Sequence, residues 1–464
     1  MPRTRRRSPG AAHPHWSVPD PAPRSSDTGS GGGGRFTRRN LLTAGATGAL
    51  AAAGASSLGG CSYFTPGDTS DELSFTFWGA PDEKAEHIPG NYATKLNALV
   101  AGNIEPDAGY LDEGMAMQLG DAGRLANIAD YFDVYPEFET LMPQVLHEFR
   151  PGEFLVQSAI EMFMLFYDTE VVKEAGVTVP SNAEDAWTWD EFVEAADTLT
   201  VDSEGRHPSE DGYDPQDVVR YGVSGLSAQN VVLNLLMSNG AEVFSADGMS
   251  AHFDTEEARD VIQKIQDLVL VHRVSPSPAQ MQSIGGDASS QLTGGRVAMV
   301  AEGQWGLLAM AATEVDFDLG VLPVFQEPVT MTFSGANAAF ASTERPDDTF
   351  GLLAALANPD KNPLFSNGLW MPLQETCYTD EAFIEKWMSN DAYPPGYRGA
   401  CIDATYKYGK PGPNYQLRNW SFVSRQFGNV IGSVWTGQTD VQAVCASLDE
   451  QLTPLMRGRF EESE

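Results

Sequence analysis

The sequence predicts an α/β fold arranged as two globular lobes, and three observations lead there. Short β-rich apolar runs alternate with segments of helical periodicity beyond Leu73, the pattern of sheets covered by helices. The 464 residues exceed one ordinary core, and 42% hydrophobic with 10% aromatic residues is enough apolar material for two. No internal repeat of fixed period is detectable, which argues against a solenoid or propeller.

The N-terminal stretch stands apart. Residues 1–34 are rich in Arg, Pro, Ser and Gly, show no apolar periodicity and end in the run Gly31–Gly34, so no packed structure is expected. Next, in RFTRRNLL, the pair Arg38 and Arg39 precedes a weakly apolar, Ala- and Gly-rich segment, Leu41–Ser57, an order similar to a twin-arginine export signal. That segment is too short and too poor in large apolar residues to span a membrane stably. It ends in Leu58-Gly59-Gly60-Cys61, which resembles the lipobox at which a signal peptidase cuts and the Cys is acylated. The alternative is an ordinary exported chain with an incidental Cys, but charge pair, apolar run and Cys stand in the required order. Residues 1–60 are therefore read as a disordered N-terminus plus a twin-arginine lipoprotein signal, and 61–72 as an acylated tether. The expected location is extracytoplasmic, lipid-anchored to the cell membrane.

Charge narrows the partners. The net charge is −35, and because eight Arg but two Asp fall in residues 1–60, the remainder carries 21 basic against 62 acidic residues. A polyanion such as nucleic acid is repelled by such a surface. Beyond Cys61 the cysteines are Cys377, Cys401 and Cys445, an odd number in a compartment where disulfides persist. One pair at most closes within the chain; sequence proximity favours Cys377 with Cys401, with buried free thiols as the alternative. Nothing in the Cys and His spacing suggests a metal, and no cofactor is expected.

Along the folded part, LSFTFW (Leu73–Trp78) reads as a buried first strand that opens into the turn Gly79-Ala80-Pro81. Asn91–Val100 has helical spacing in Tyr92, Leu96 and Leu99, with Gly102 and Pro106-Asp107 as stop signals. Phe154–Tyr167 is a long apolar run, interrupted by Gln157, Ser158 and Glu161, that suits two strand segments crossing between lobes. Thr188 starts a short amphipathic helix, Asp190–Leu199, and Val201–Asp217 is a polar hairpin-like insertion. Its Asp202-Ser203-Glu204-Gly205 lacks the ligand spacing of a calcium loop and suits a solvated turn better. Val231–Met237 leads into Asn239-Gly240; Thr255 then starts a helix Glu256–Leu270 with Ala258, Ile262, Ile265 and Leu268 on one face.

Several segments, taken in order, carry a more specific signal: LFYDTEVVKEAGVTVP, WTWDEFVEAADTLT, RYGVSGL, LLMSNGAEVFSADG, FDTEEARDVIQKIQDLVLVHRVSP, TGGRVAMVAEGQWGL, FDLGVLPVF, FSGANAAFAS and NVIGSVWTGQTDVQAVCASLDEQL. Together they resemble extracellular solute-binding protein family 1, the maltose-binding-protein-like receptors of ABC transporters, over most of residues 155–450. The resemblance implies a two-lobed periplasmic-binding-protein fold of type II, with the ligand in a cleft and three hinge crossings, near Ala159–Met164, Leu319–Val324 and Thr349–Ala355. Lobe 1 would comprise 73–160 and 322–355, and lobe 2 161–321 and 356–464. It further implies a monomer without catalytic residues that captures a mono- or oligosaccharide by lobe closure and delivers it to ABC permease subunits. One departure stands out: between Trp78 and Tyr92 the family has a long helix and a second strand, whereas here only GAPDEKAEHIPGN intervenes. The first lobe is accordingly expected to lack one helix–strand unit.

Sugars present apolar C–H faces and rings of hydroxyls, so their sites combine aromatic platforms with carboxylates and amides. On that basis the ligand residues are expected to be Trp78, Asp112, Glu113, Glu161, Trp305, Ser334, Asn337 and Trp370. Trp78 ends the first strand, Asp112 and Glu113 follow the next, and Glu161 interrupts an apolar run where a carboxylate needs a partner. Trp305 in EGQW matches the family's sugar-stacking aromatic, Ser334 and Asn337 flank Gly335 on a turn, and Trp370 in GLWMPL is a second platform. Each has a plainer alternative, a core Trp or a solvated turn. Tyr393, Tyr397, Tyr415 and Trp420 lie in a Pro- and Gly-rich stretch that suits the cleft rim. Other functional classes are a receptor for a polyamine or glycerol phosphate, a degenerate surface lipoprotein, and a glycoside-active enzyme. The last has no nucleophile elbow, phosphate loop or HExxH to support it.

Overall fold

The computed structural model describes residues 73–77, 86–87 and 92–460, and Arg38, Arg39, Cys61 and Trp78, with the leader and tether, lie outside them. Two sheets organise the described chain. The first contains β1 (Phe75–Phe77), β2 (Glu86–His87), β3 (Ala108–Leu111) and, far later, β12 (Ala336–Ala339), in the order β12-β3-β1-β2. β1 runs parallel to both β2 and β3, while β12 returns antiparallel to β3 with Asn337 opposite Tyr110. The second contains β6 (Phe163–Asp168), β7 (Val201–Asp202), β8 (Val218–Ser224), β9 (Val297–Gly303) and β10 (Phe317–Gly320), in the order β10-β6-β9-β8-β7. A hairpin of β4 (Leu146–Arg150) and β5 (Glu153–Val156) and a parallel pair of β11 (Thr330–Thr332) and β13 (Gly409–Pro411) complete the strands.

Local sequence explains these elements. β9 is the centre of the second sheet, bonded to β6 and β8, and its residues Val297–Ala301 are all buried. A strand covered on both faces carries a continuous apolar run instead of alternation. The helix Trp189–Leu199 opens with a reciprocal capping box between Thr188 and Glu191. The helix Glu256–Leu270 opens on Thr255, whose hydroxyl accepts from the Ala258 amide, and buries Ala258, Val261, Ile262, Ile265 and Leu268 along one stripe. That stripe shares a core with the C-terminal helices Trp420–Ile431 and Val441–Leu452. A second core joins the two sheets, containing Ala108 and Ala339 from the first and Phe166, Val297 and Val300 from the second. Both sheets thus belong to one unit, Phe64–Glu464.

Three expectations change. The second strand thought lost from the first sheet is present as β2, reduced to two residues on the sheet edge. Thr349–Ala355, expected as a hinge, lies inside the helix Pro346–Ala357, whose Phe350 stacks on Tyr131 at 3.9 Å. The segments that run side by side between the sheets are instead 157–161, 333–336 and 371–374, through the bridges Gln157 to Ala336, Glu161 to Phe333 and Ile160 to Met371. Cys377 and Cys401 do not pair: both are free and buried, as is Cys445, and the Cys401 Sγ sits 3.4 Å from the Met164 Sδ. In the insertion, the Asp202 carboxylate is taken up by the amides of Glu204, Arg206 and Asp214 and by the Arg206 guanidinium, which closes the turn on itself.

Candidate functional site

Where the three segments meet, the C-terminal end of β3 delivers Tyr110, Asp112 and Glu113 beside the crossing residues Ser158 and Glu161. Such a place, outside the carboxyl ends of parallel strands, is where open α/β sheets bind ligands. Asp112 caps the helix Glu113–Asp121 by accepting from the Met115 amide at 2.9 Å, and burial holds its carboxyl above the usual range. Glu113, the first residue of that helix, keeps part of its surface accessible, yet burial, helped by the Asp112 charge, lifts it to about 7. Glu161 is 8% exposed, and burial together with the charge on Glu113 lifts it to about 8. Two carboxyls that repel each other in a dry place cannot both ionise cheaply, so at neutral pH this pair retains protons.

Around them the hydroxyls and amides form a connected network. Ser158 donates to the Gly335 carbonyl at 2.9 Å and meets the fully buried Ser334 hydroxyl at 3.1 Å. Tyr415 donates to the Ser334 carbonyl at 2.6 Å, and its ring lies flat on His147 at 3.6 Å. Burial pushes His147 down to about 3, so it is neutral and receives the Gln157 amide at 2.9 Å. Burial and the Glu161 charge raise the Tyr110 phenol above its ordinary range. The Asn414 amide nitrogen stands 3.5 Å from Glu113.

Aromatic surface flanks the network. Tyr110 and Trp370 are 5.8 Å apart and tilted, with Phe365 behind Trp370 at 6.0 Å. Trp305, half-buried, meets Phe163 and Phe333 edge-on at 5.5 and 5.8 Å. Its ring covers Gly303, where a Cβ would stand 2.1 Å from the indole carbons. The structure therefore assembles Asp112, Glu113, Glu161, Ser334, Asn337 and Trp370, and sets Trp305 next to them through Phe333. Ser334 and Asn337, expected on an open turn, are buried, the latter within β12. A separate cavity lined by Met162, Phe163, Ala183, Val321, Leu322 and Thr330 holds none of the expected ligand residues.

Sequence reasoning passed over Tyr110, Gln157, Ser158, His147 and Asn414, and left Tyr415 unranked. Tyr110 carried a usable signal, an aromatic residue near the end of a short strand, separated by Leu111 alone from two acidic residues. His147 and Asn414 carried none, because only the fold brings β4 and the loop before the helix Trp420–Ile431 to this place. Among the described residues no group of three or more His, Cys, Asp and Glu is arranged to share a metal ion. Likewise no described helix is long and apolar enough to cross a membrane.

Residues 85–391 match the family described as bacterial extracellular solute-binding protein. Solved structures agree in fold. An ABC substrate-binding protein from Listeria monocytogenes in complex with cycloalternan superposes with a TM-score of 0.70 at 19% identity, covering 82% of this chain and 98% of that one. A solute-binding protein from Thermotoga lettingae bound with α-D-tagatose gives a TM-score of 0.65 at 17% identity, covering 83% and 100%. The maltose-bound MalE3 of T. maritima gives 0.64 at 17% identity, covering 83% and 99%. No curated protein sequence matches the chain.

Proposed function

Because the chain belongs to the bacterial extracellular solute-binding protein family, we propose that it is the receptor of an ABC importer for a mono- or oligosaccharide. The observation that carries this reading is the pairing of tilted rings, Tyr110 and Trp370, with a network of carboxyls and amides at the strand ends between the sheets. Rings of that kind take the C–H face of a sugar, and the carboxyls and amides take its hydroxyls. The saccharides in the three similar structures support the same class. In this reading Asp112, Glu113, Glu161, Asn337, Trp370 and Trp305 touch the ligand, with Trp78, which follows Phe77 in sequence, as a further contact, and Ser334 holds the network in register. Residues 73–160 with 322–355, and 161–321 with 356–464, act as the opposing lobes, and closure on the sugar presents both to a permease. Export directed by Arg38 and Arg39, followed by acylation at Cys61, tethers the monomer to the outer face of the cell membrane. Binding and release, without chemistry, is the whole task.

A thermal-shift panel of mono- and oligosaccharides, with spermidine and glycerol phosphate alongside, tests the class. A ligand that binds only the folded state at 100 times its Kd adds about 2.7 kcal/mol of stability. We expect a saccharide to raise the melting midpoint. A panel in which only glycerol phosphate or spermidine does so would remove the carbohydrate reading.

A further inference from the structure

We propose that the saccharide taken here carries a protonated amine, seated against Glu113 and Glu161. The proposal rests on the carbohydrate reading and narrows it. Its first support is an unpaired acidic couple: Glu161 faces Glu113, which has Asp112 beside it and the Asn414 amide nitrogen at 3.5 Å, and the described ion pairs of this chain occupy other carboxylates. The groups facing the pair from neighbouring elements are Tyr110 on β3, Tyr415 in the loop before the helix Trp420–Ile431, and, behind Tyr415, His147 on β4. All three are uncharged at neutral pH, His147 because burial holds it at about 3, so none neutralises the carboxylates.

The second support is independent of charge, and concerns which hydrogen-bonding atoms are already used. Asn414 is 4% exposed; its amide nitrogen is directed at Glu113 while its oxygen has no partner. Gln157 is 1% exposed; its nitrogen is spent on His147 and its oxygen has no partner. Asn337, 6% exposed and directly opposite Tyr110 across the β3–β12 ladder, likewise has an unpartnered oxygen. Of the local hydroxyls, Ser158 donates to the Gly335 carbonyl and Tyr415 to that of Ser334, while the Ser334 hydroxyl lies between Ser158 and Glu161. Even with the protons that the pair retains at neutral pH, the oxygens of Asn414, Gln157 and Asn337 are without donors, and a buried acceptor without a donor is costly. A neutral hydroxyl brings one donor but asks for one in return, whereas an ammonium group brings three donors and no acceptor. Directional N–H donors also suit these residues better than a metal ion, since no described group of three His, Cys, Asp or Glu is spaced to share one.

A proton balance follows. At pH 7 the pair holds protons, because Glu161 stands at about 8 and Glu113 at about 7. An ammonium group favours both carboxylates, so its binding expels protons to the buffer, and affinity rises with pH until the amine itself deprotonates.

Isothermal titration calorimetry of the full chain at pH 7, in two buffers of different ionisation enthalpy, tests this. The probes are chitotriose, its N-acetylated counterpart and maltotriose, with glucosamine and glucose as the single-ring pair. We expect at least tenfold tighter binding of the free amine than of its capped or neutral counterpart, with net proton release for the amine alone. Glu113→Gln and Glu161→Gln should each reduce that preference at least tenfold, and an undiminished preference in both variants would overturn the seat. Equal or tighter binding of N-acetylchitotriose, maltotriose or glucose overturns the amine and leaves the carbohydrate reading standing. If neither amine probe titrates, the proposal is also overturned, and the saccharide melting panel decides separately whether the carbohydrate reading goes with it.

Discussion

At the scale of single residues, Glu161 decides how this site responds to pH. Its folded value of about 8, and that of Glu113 at about 7, both lie above what an unfolded carboxyl shows. The native state therefore holds protons that the unfolded chain has released. Stability from this source is complete below the unfolded value of about 4.3 and is lost as pH rises through about 7 to 8, at up to about 1.4 kcal/mol per pH unit for each such proton. Glu161→Gln keeps the shape and removes the titration, and it also relieves Glu113 of a like charge. Urea unfolding at pH 5.5, 7 and 8.5 should show the native protein losing stability more steeply than the variant across that window. Parallel curves would mean that the two carboxyls do not share one dry environment. The sequence already singled out Glu161, as a carboxylate in an apolar run that must be satisfied somehow. It gave no sign of the like-charged neighbour, since Glu113 arrives from a strand end 48 positions earlier in the chain.

At the scale of elements, the close approach of β12 to β3 depends on Gly335. A Cβ there would stand 2.5 Å from the Tyr110 ring and 2.6 Å from the Leu111 carbonyl, one a side chain and the other immovable backbone. Gly335→Ala should cost about 1–3 kcal/mol through overpacking and weaken saccharide binding by displacing Tyr110. Gly286→Ala, with nothing within 4 Å of its added carbon, is the matched control and should melt close to the native protein. If both variants behaved alike in unfolding and titration, the ladder at Tyr110 would not be setting the site. Element identity was legible wherever local rules were strong: the capping box at Thr188, the Thr255 start and the apolar stripe of Glu256–Leu270 all form where their residues indicate. Two readings failed for a shared reason. β2 survives as two residues because pairing with β1, not its own weak pattern in GAPDEKAEHIPGN, makes it a strand. The apolar run at Thr349–Ala355 is equally good as a buried strand or a helix by composition, and the pocket between Tyr131 and β12 selects the helix.

At the scale of the whole molecule, segments 157–161 and 333–336, which carry Ser158, Glu161 and Ser334, are bridged to each other and, at Ile160, to Met371 beside Trp370, so under the proposed closure binding would be coupled to the change of shape. Their backbone pairing is limited to isolated bridges, although Ile160 and Met371 also lie in the core shared by both sheets, and hinge motion needs only a few residues to absorb the change in backbone angle. The carboxyl pair straddles this seam: Glu113 opens a helix beside the first sheet, and Glu161 lies on the segment leading into β6 of the second. Without a ligand, whatever charge the pair carries drives the two sides apart. A ligand that satisfies both carboxyls and stacks on Trp370 or Trp305 binds the closed arrangement better than the open one, and only such differential affinity can shift the population. Small-angle scattering with and without a saccharide that raises the melting midpoint should therefore show a smaller radius of gyration in the bound state. The same measurement on Glu113→Gln, where repulsion is reduced, should show a ligand-free protein already shifted toward the compact form. Unchanged dimensions in both comparisons would mean that the segments act as a rigid frame, and that the permease recognises the ligand-bound surface rather than a change of shape.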